Sequence, residues 1–161
     1  MSMTGRYLKL SAQQLQEVID ETVDVNELVW PQDGSDPAGA LDIDKTWHVI
    51  HFLLTGEAWG GEAPLANAVL GGTELPETDA GYGPFRYLLP EEVQAVSKAL
   101  AGISPPALWA RFDPQTAEAA EIYGWEGDEK QCEYVSGNYQ SLQMHFAQAA
   151  TAGQAMLLHL S

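Results

Sequence analysis

Within ten residues the chain places Asp42, Asp44, Lys45, Trp47, His48 and His51. Carboxylates beside imidazoles are the raw material of three different arrangements. The first is a metal site, because imidazole and carboxylate suit zinc or iron. The helical zinc signature H-E-x-x-H sets its histidines four apart around a glutamate. Here the spacing is three, with Val49 and Ile50 between, while His145 and His159 lie far along the chain, so no metal ligand is assigned. The second arrangement is acid–base catalysis of a small hydrolase type, with His51 working with Asp42 or Asp44 in a cleft. The third is structural: Asp44 caps a helix, Lys45 pairs with a nearby acid, and His51 hydrogen-bonds inside the core. The third is favoured, because Trp47, Ile50, His51 and Leu54 recur at helical spacing and His51 therefore shares the buried stripe. Asp44, His48 and His51 are expected to converge on one side of that helix.

The elements that must position these groups follow from local signals. Asp44 has N-cap chemistry, and Thr55-Gly56 supplies a left-handed stop. Arg6 to Leu10 alternates as a strand with Leu8 and Leu10 facing the core. Ser11 with Gln14 is a capping box opening a helix through Leu15, Val18 and Ile19. Asn26 to Trp30 reads as a helical turn, Pro31 to Gly39 as a loop, Leu65 to Leu70 as a short helix, and Thr73 to Gly83 as an acidic loop. Phe85 to Leu89 reads as a strand with Phe85, Tyr87 and Leu89 on one face. Pro90, Pro105 and Pro114 each open a helix at its first position, with Gly102 and Gly124 stopping the first and third. Val135, Tyr139, Leu142, Phe146 and Ala149 or Ala150 form the stripe of a long neutral helix. Ala155 to Leu160 closes the chain as a strand inside the sheet. The fold class expected is α+β: a single domain over residues 1–161, with a small mixed sheet (strands near 6–10, 85–89 and 155–160) covered by several helices.

The run Leu41-Asp42-Ile43-Asp44-Lys45, with Trp47, His51 and Thr55-Gly56, resembles the YfbM-like family of bacterial domains of unknown function. The similarity extends to Tyr7-Leu8-Lys9-Leu10-Ser11, to Pro64-Leu65 through Val69-Leu70-Gly71, and to Tyr87-Leu88 followed by Pro90-Glu91-Glu92-Val93. The resemblance implies a compact α+β domain and brings no enzymatic activity and no cofactor. In its pattern His51 occupies a motif position and His48 a variable one. For a shared ligand surface it points to Asp42, Asp44, Lys45, Trp47 and His51.

Composition narrows the function classes. The net charge is -16, and between Leu10 and Phe85 fourteen acidic residues face a single base, Lys45. Such a field repels phosphate, so nucleic acid and anionic membrane are excluded as partners. The glycine pairs lack phosphate-loop context, and no G-x-S-x-G elbow occurs. Cys132 is the sole cysteine, so no internal disulfide forms; with no signal-like apolar run at the start, a cytoplasmic protein is expected. Trp59, beside Gly60-Gly61, is the tryptophan expected at the surface, where it either packs over the domain's edge, the favoured reading, or anchors a partner. The function expected is a non-enzymatic protein-binding module, an immunity or antitoxin-like inhibitor of a basic protein. A small hydrolase built on His51 and a small-molecule sensor are the alternatives.

Overall fold

The alternating run near the start forms β1 (Gly5–Leu10), and the apolar run at the end forms β5 (Ala155–Leu160). They pair antiparallel along their whole lengths, from Gly5 opposite Leu160 to Leu10 opposite Ala155. The structure is a computed structural model and describes residues 2–125 and 130–161. Between the two strands come α1 (Ala12–Ile19), α2 (Val25–Val29), β2 (Ala40–Asp42), α3 (Trp47–Thr55), β3 (Thr73–Glu74) and β4 (Arg86–Leu88). They are followed by α4 (Pro90–Ala101), α5 (Pro105–Trp109), α6 (Pro114–Ala119) and α7 (Lys130–Thr151).

One sheet results, in the order β2-β1-β5-β4-β3. The three expected strands are its centre, and the two short edge strands lie in segments read as loop or helix entry. Every pairing is antiparallel, which corrects the mixed sheet expected. The reason is topological. β1 and β4 run the same way, but β5 inserts between them in the opposite sense, so no two parallel strands become neighbours.

Both faces of the sheet are covered, so its central strand is buried on both sides instead of alternating. Met156 and Leu158 join the larger core with α3, α4, α5 and α7, while Ala155 and Leu157 join a smaller core with α1 and α2. Leu8 and Leu10 belong to the smaller core and Tyr7 to the larger one. Phe85 and Tyr87 share the smaller-core face as expected; Leu89 does not, because the chain leaves the sheet there to start α4, and it is 38% exposed.

Local signals account for the helix ends. Ser11 and Gln14 form both bonds of the capping box, Gln14 N–H to Ser11 Oγ at 3.0 Å and Ser11 N–H to Gln14 Oε1 at 2.9 Å. Pro90, Pro105 and Pro114 each occupy the first turn of their helices. α4 gives way to Gly102 as expected, whereas α6 stops at Ala119, well before Gly124. The Leu65 to Leu70 segment forms only a 3-10 turn, Leu65–Ala68. Its last carbonyls are taken from outside: Tyr7 donates to Ala68 O, and the buried Arg86 donates to Val69 O at 2.9 Å and Gly71 O at 2.8 Å. The stripe Val135, Tyr139, Leu142, Phe146 and Ala149 of α7 is fully buried, and Tyr139 and Gln143 reach across to the carbonyls that end α4. Among the described residues no helix is long and apolar enough to cross a membrane.

Candidate functional site

The Asp42–His51 stretch straddles three backbone states, and that decides where its side chains go. Asp42 ends the edge strand β2. Asp44 to Thr46 is a 3-10 turn, and α-helix begins only at Trp47. Asp44 sits at φ 54, a left-handed conformation that aspartate tolerates better than most residues. Its carboxylate caps nothing. Asp44 Oδ2 instead accepts a bond from Tyr134 of α7 at 2.6 Å, and the Asp44 N–H is held by Asp42 Oδ1 at 2.7 Å. The expected N-cap is thus corrected: the extra turn before Trp47 displaces Asp44 from the helix end. The Tyr134 hydroxyl is pushed up to about 12, first by burial and then by its bond to the Asp44 carboxylate. Asp42 Oδ2 pairs with Arg6 Nη2 at 3.4 Å. Lys45 is exposed and, among the described residues, has no ion pair with an acid, contrary to expectation.

Trp47 is fully buried, and Gly5 makes room for it: a Cβ at Gly5 would meet the Trp47 Cβ at 2.8 Å. The indole N–H donates to Met3 O at 3.0 Å. His48 stacks on Trp47 with ring centroids 4.8 Å apart and bridges two loops. Its Nδ1 accepts from the Tyr123 N–H at 2.7 Å, and its Nε2 faces Ala58 O at 2.8 Å, so the proton belongs on Nε2. Burial lowers its pKa against the smaller opposite pull of the Ala58 carbonyl. Trp59, the most exposed large apolar residue at 63%, covers His48 with centroids 4.6 Å apart.

His51 lies on the buried face, as its spacing requires, and is 0% exposed. Contrary to the hydrogen bond expected inside the core, neither ring nitrogen finds a partner among the described residues. Burial pushes its pKa down to about 4, with the nearby Gly60 carbonyl opposing and His48 and Arg86 assisting. The expected convergence of Asp44, His48 and His51 does not occur: Asp44 turns to α7, His48 to two loops, and His51 inward. Neither Asp42 nor Asp44 meets His51, so the acid–base pair required of a His51 hydrolase is not assembled. Among the described residues no three His, Cys, Asp or Glu side chains are placed to hold a metal ion.

A different concentration of groups stands on the other side of the sheet. From Ser11 to Gly39, the α1–α2 layer and its loop carry Glu17, Asp20, Glu21, Asp24, Glu27, Asp33 and Asp36 and no basic residue. Between the α1–α2 turn and the Leu75–Thr78 segment this layer opens into a groove of about 370 Å³. Val18, Ile19, Val25 and Leu75 line it together with the polar Asn26 and Thr78, and exposed Glu21, Asp24 and Glu77 border it. The acidity was legible in composition. The groove was not, because residues 18–26 and 75–78 are far apart in the chain and meet only where Val18, Val25 and Leu75 enter the same core. Glu21 and Glu77 both sit at φ 60, a left-handed conformation that glutamate does not announce in sequence.

A family model described as a domain of unknown function, DUF1877, matches residues 1–159. The chain belongs to this family. A crystal structure of a protein of unknown function, YfbM from Escherichia coli, superposes with a TM-score of 0.74 at 21% identity, covering 98% of this chain and 99% of that one. The match establishes the shared fold, and the resemblance read from the Leu41–Lys45 motif holds. No functionally curated protein matches the sequence.

Proposed function

We propose that this member of the family acts by binding a basic protein through its acidic layer, as a compact inhibitor of the immunity or antitoxin kind. The observation that carries the reading is the groove of about 370 Å³ lined in part by aliphatic side chains and bordered by Glu21, Asp24 and Glu77. Carboxylates around a partly aliphatic hollow suit a partner segment in which an aliphatic or aromatic side chain is flanked by lysine or arginine. The apolar residue supplies the desolvated anchor and the rim supplies orientation and encounter rate. With the whole chain at -16, a basic partner is also drawn in from a distance. The state of the histidines supports a non-enzymatic role: His48, His51, His145 and His159 are all at most 6% exposed, which leaves no imidazole at the surface to move a proton.

The test uses fluorescent peptides that alternate leucine or phenylalanine with lysine and arginine, titrated by anisotropy. Affinity is expected to fall steeply with added salt, and the combined Glu21→Gln, Asp24→Asn and Glu77→Gln variant is expected to bind about tenfold or more weakly. Neutralising three remote exposed acids, Glu91, Glu118 and Glu133, in the same protein is the control for overall charge. Equal losses in the two variants, or binding indifferent to salt, would remove the groove from the proposal.

A further inference from the structure

The strand registers set Asp42, Arg6 and His159 side by side across β2, β1 and β5. Residues directly opposite in neighbouring strands share a face, and here it is the face under α1 and α2, where Leu8 and Leu157 pack two positions further along. This row lines a hollow of about 150 Å³, walled elsewhere by Val29, Asp36 and Pro37. The hollow is separate from the acidic groove, with α2 lying between them.

Three polar groups in the hollow are incompletely used. His159 is 2% exposed, and its Nδ1 has no hydrogen-bond partner. A buried ring nitrogen left unpaired costs free energy that the fold gains nothing from. Arg6 gives Nη2 to Asp42 and Nε to Thr4 Oγ1, each at 3.4 Å, which leaves Nη1 uncommitted among the described residues. Asp36 is exposed and, among the described residues, has no side-chain ion-pair or hydrogen-bond partner. Trp30 closes one side by packing against both His159 and Phe85 with centroids 5.6 Å apart.

The charges select the ligand. A bare cation is opposed by the Arg6 guanidinium in the middle of the row, and a bare anion by Asp36 and Asp42. A small frame carrying both charges meets every group. We propose that this hollow is a binding site for a small zwitterion of the α-amino-acid class. The carboxylate takes Arg6 Nη1 and an N–H of His159, the ammonium takes Asp36, and a short side chain lies against Val29 and Pro37. Burial, reinforced by Arg6 and Arg86, holds the His159 pKa down at about 4, so the ring stays neutral and its tautomer is free to suit the ligand.

The experiment titrates the full chain with each standard amino acid in turn, read by amide and histidine chemical shifts and by calorimetry. At least one is expected to bind saturably, shifting the Arg6, Asp36 and His159 resonances. Its methyl ester and its deaminated acid, each lacking one charge, are expected to bind about tenfold or more weakly. Arg6→Gln and Asp36→Asn are expected to lose affinity to a similar degree. Asp36 supports no other contact, so that variant folds as the parent does. The absence of any saturable amino acid, an ester that binds as well as its parent, or unchanged affinity in Asp36→Asn would each overturn the proposal. No protein partner enters the measurement, so its outcome is independent of the basic-partner reading.

Discussion

Acidification from pH 7 to about 5 should cost this protein a large part of its stability, and three histidines set the size of the effect. His51, His145 and His159 are 0%, 6% and 2% exposed, and each has its pKa pushed down to about 4, chiefly by burial. In the unfolded chain a histidine titrates near ~6.5. Between those two values the unfolded state holds a proton that the folded state lacks, so stability is intact above pH ~6.5 and declines as pH falls, levelling only below ~4. At pH 5 the difference amounts to about 2 kcal/mol per histidine, or roughly 6 kcal/mol for three. A domain of this size has a total stability of ~5–15 kcal/mol, so the term is decisive. Relief of repulsion from the net charge of -16 works the other way, and fixed moderate salt keeps that contribution small. Urea titrations followed by tryptophan fluorescence at a series of pH values measure the slope. His51→Leu provides the internal check. It removes a ring with two unpaired nitrogens, so at pH 7 the variant should be at least as stable as the parent, and it should lose about a third of the pH dependence. A parent midpoint unchanged between pH 7 and 5, or an undiminished slope in His51→Leu, would refute the reasoning.

Two further substitutions test the helix that carries these residues. His48→Phe keeps a ring in the stack but leaves the Tyr123 N–H and the Ala58 carbonyl without their partner. It should cost about 2–4 kcal/mol, with hydrogen exchange at Tyr123 accelerating first. Gly56→Ala tests the left-handed stop at φ 78, where a Cβ would meet no atom within 4 Å. The cost is therefore backbone strain alone, about 1–2 kcal/mol, seen as a lower Tm; an unchanged Tm would mean that α3 does not end in this conformation.

The elements near the candidate site were legible to different degrees, for physical reasons. Ser11 with Gln14, the three prolines and Gly56 act on backbone groups within four residues of themselves, and the structure follows them. The stripe of α7 and the placement of β5 inside the sheet were also readable, because long apolar periodicity permits only one orientation toward a core. Asp44 failed as a cap because a 3-10 turn separates it from the start of α3, and its carboxylate is engaged instead by Tyr134, ninety residues away. Asp42 follows the same rule, its carboxylate pairing with Arg6 across the strands, whereas among the described residues Lys45 finds no acid and His51 is shut into the core without a hydrogen bond.

Read alone, the residues determine the α+β class, the strands that become the sheet's centre, the family and the strong acidity of the first half. Each depends on periodicity, turn chemistry or composition, all carried by contiguous sequence. Only the tertiary structure decides that the sheet is wholly antiparallel, that all four histidines are withdrawn from solvent, and that Arg6, Asp42 and His159 form one row. It alone builds the acidic groove from two segments about fifty residues apart. Cross-strand register and the packing of layers arise from closing long loops, and no local pattern encodes which residues that closure brings face to face.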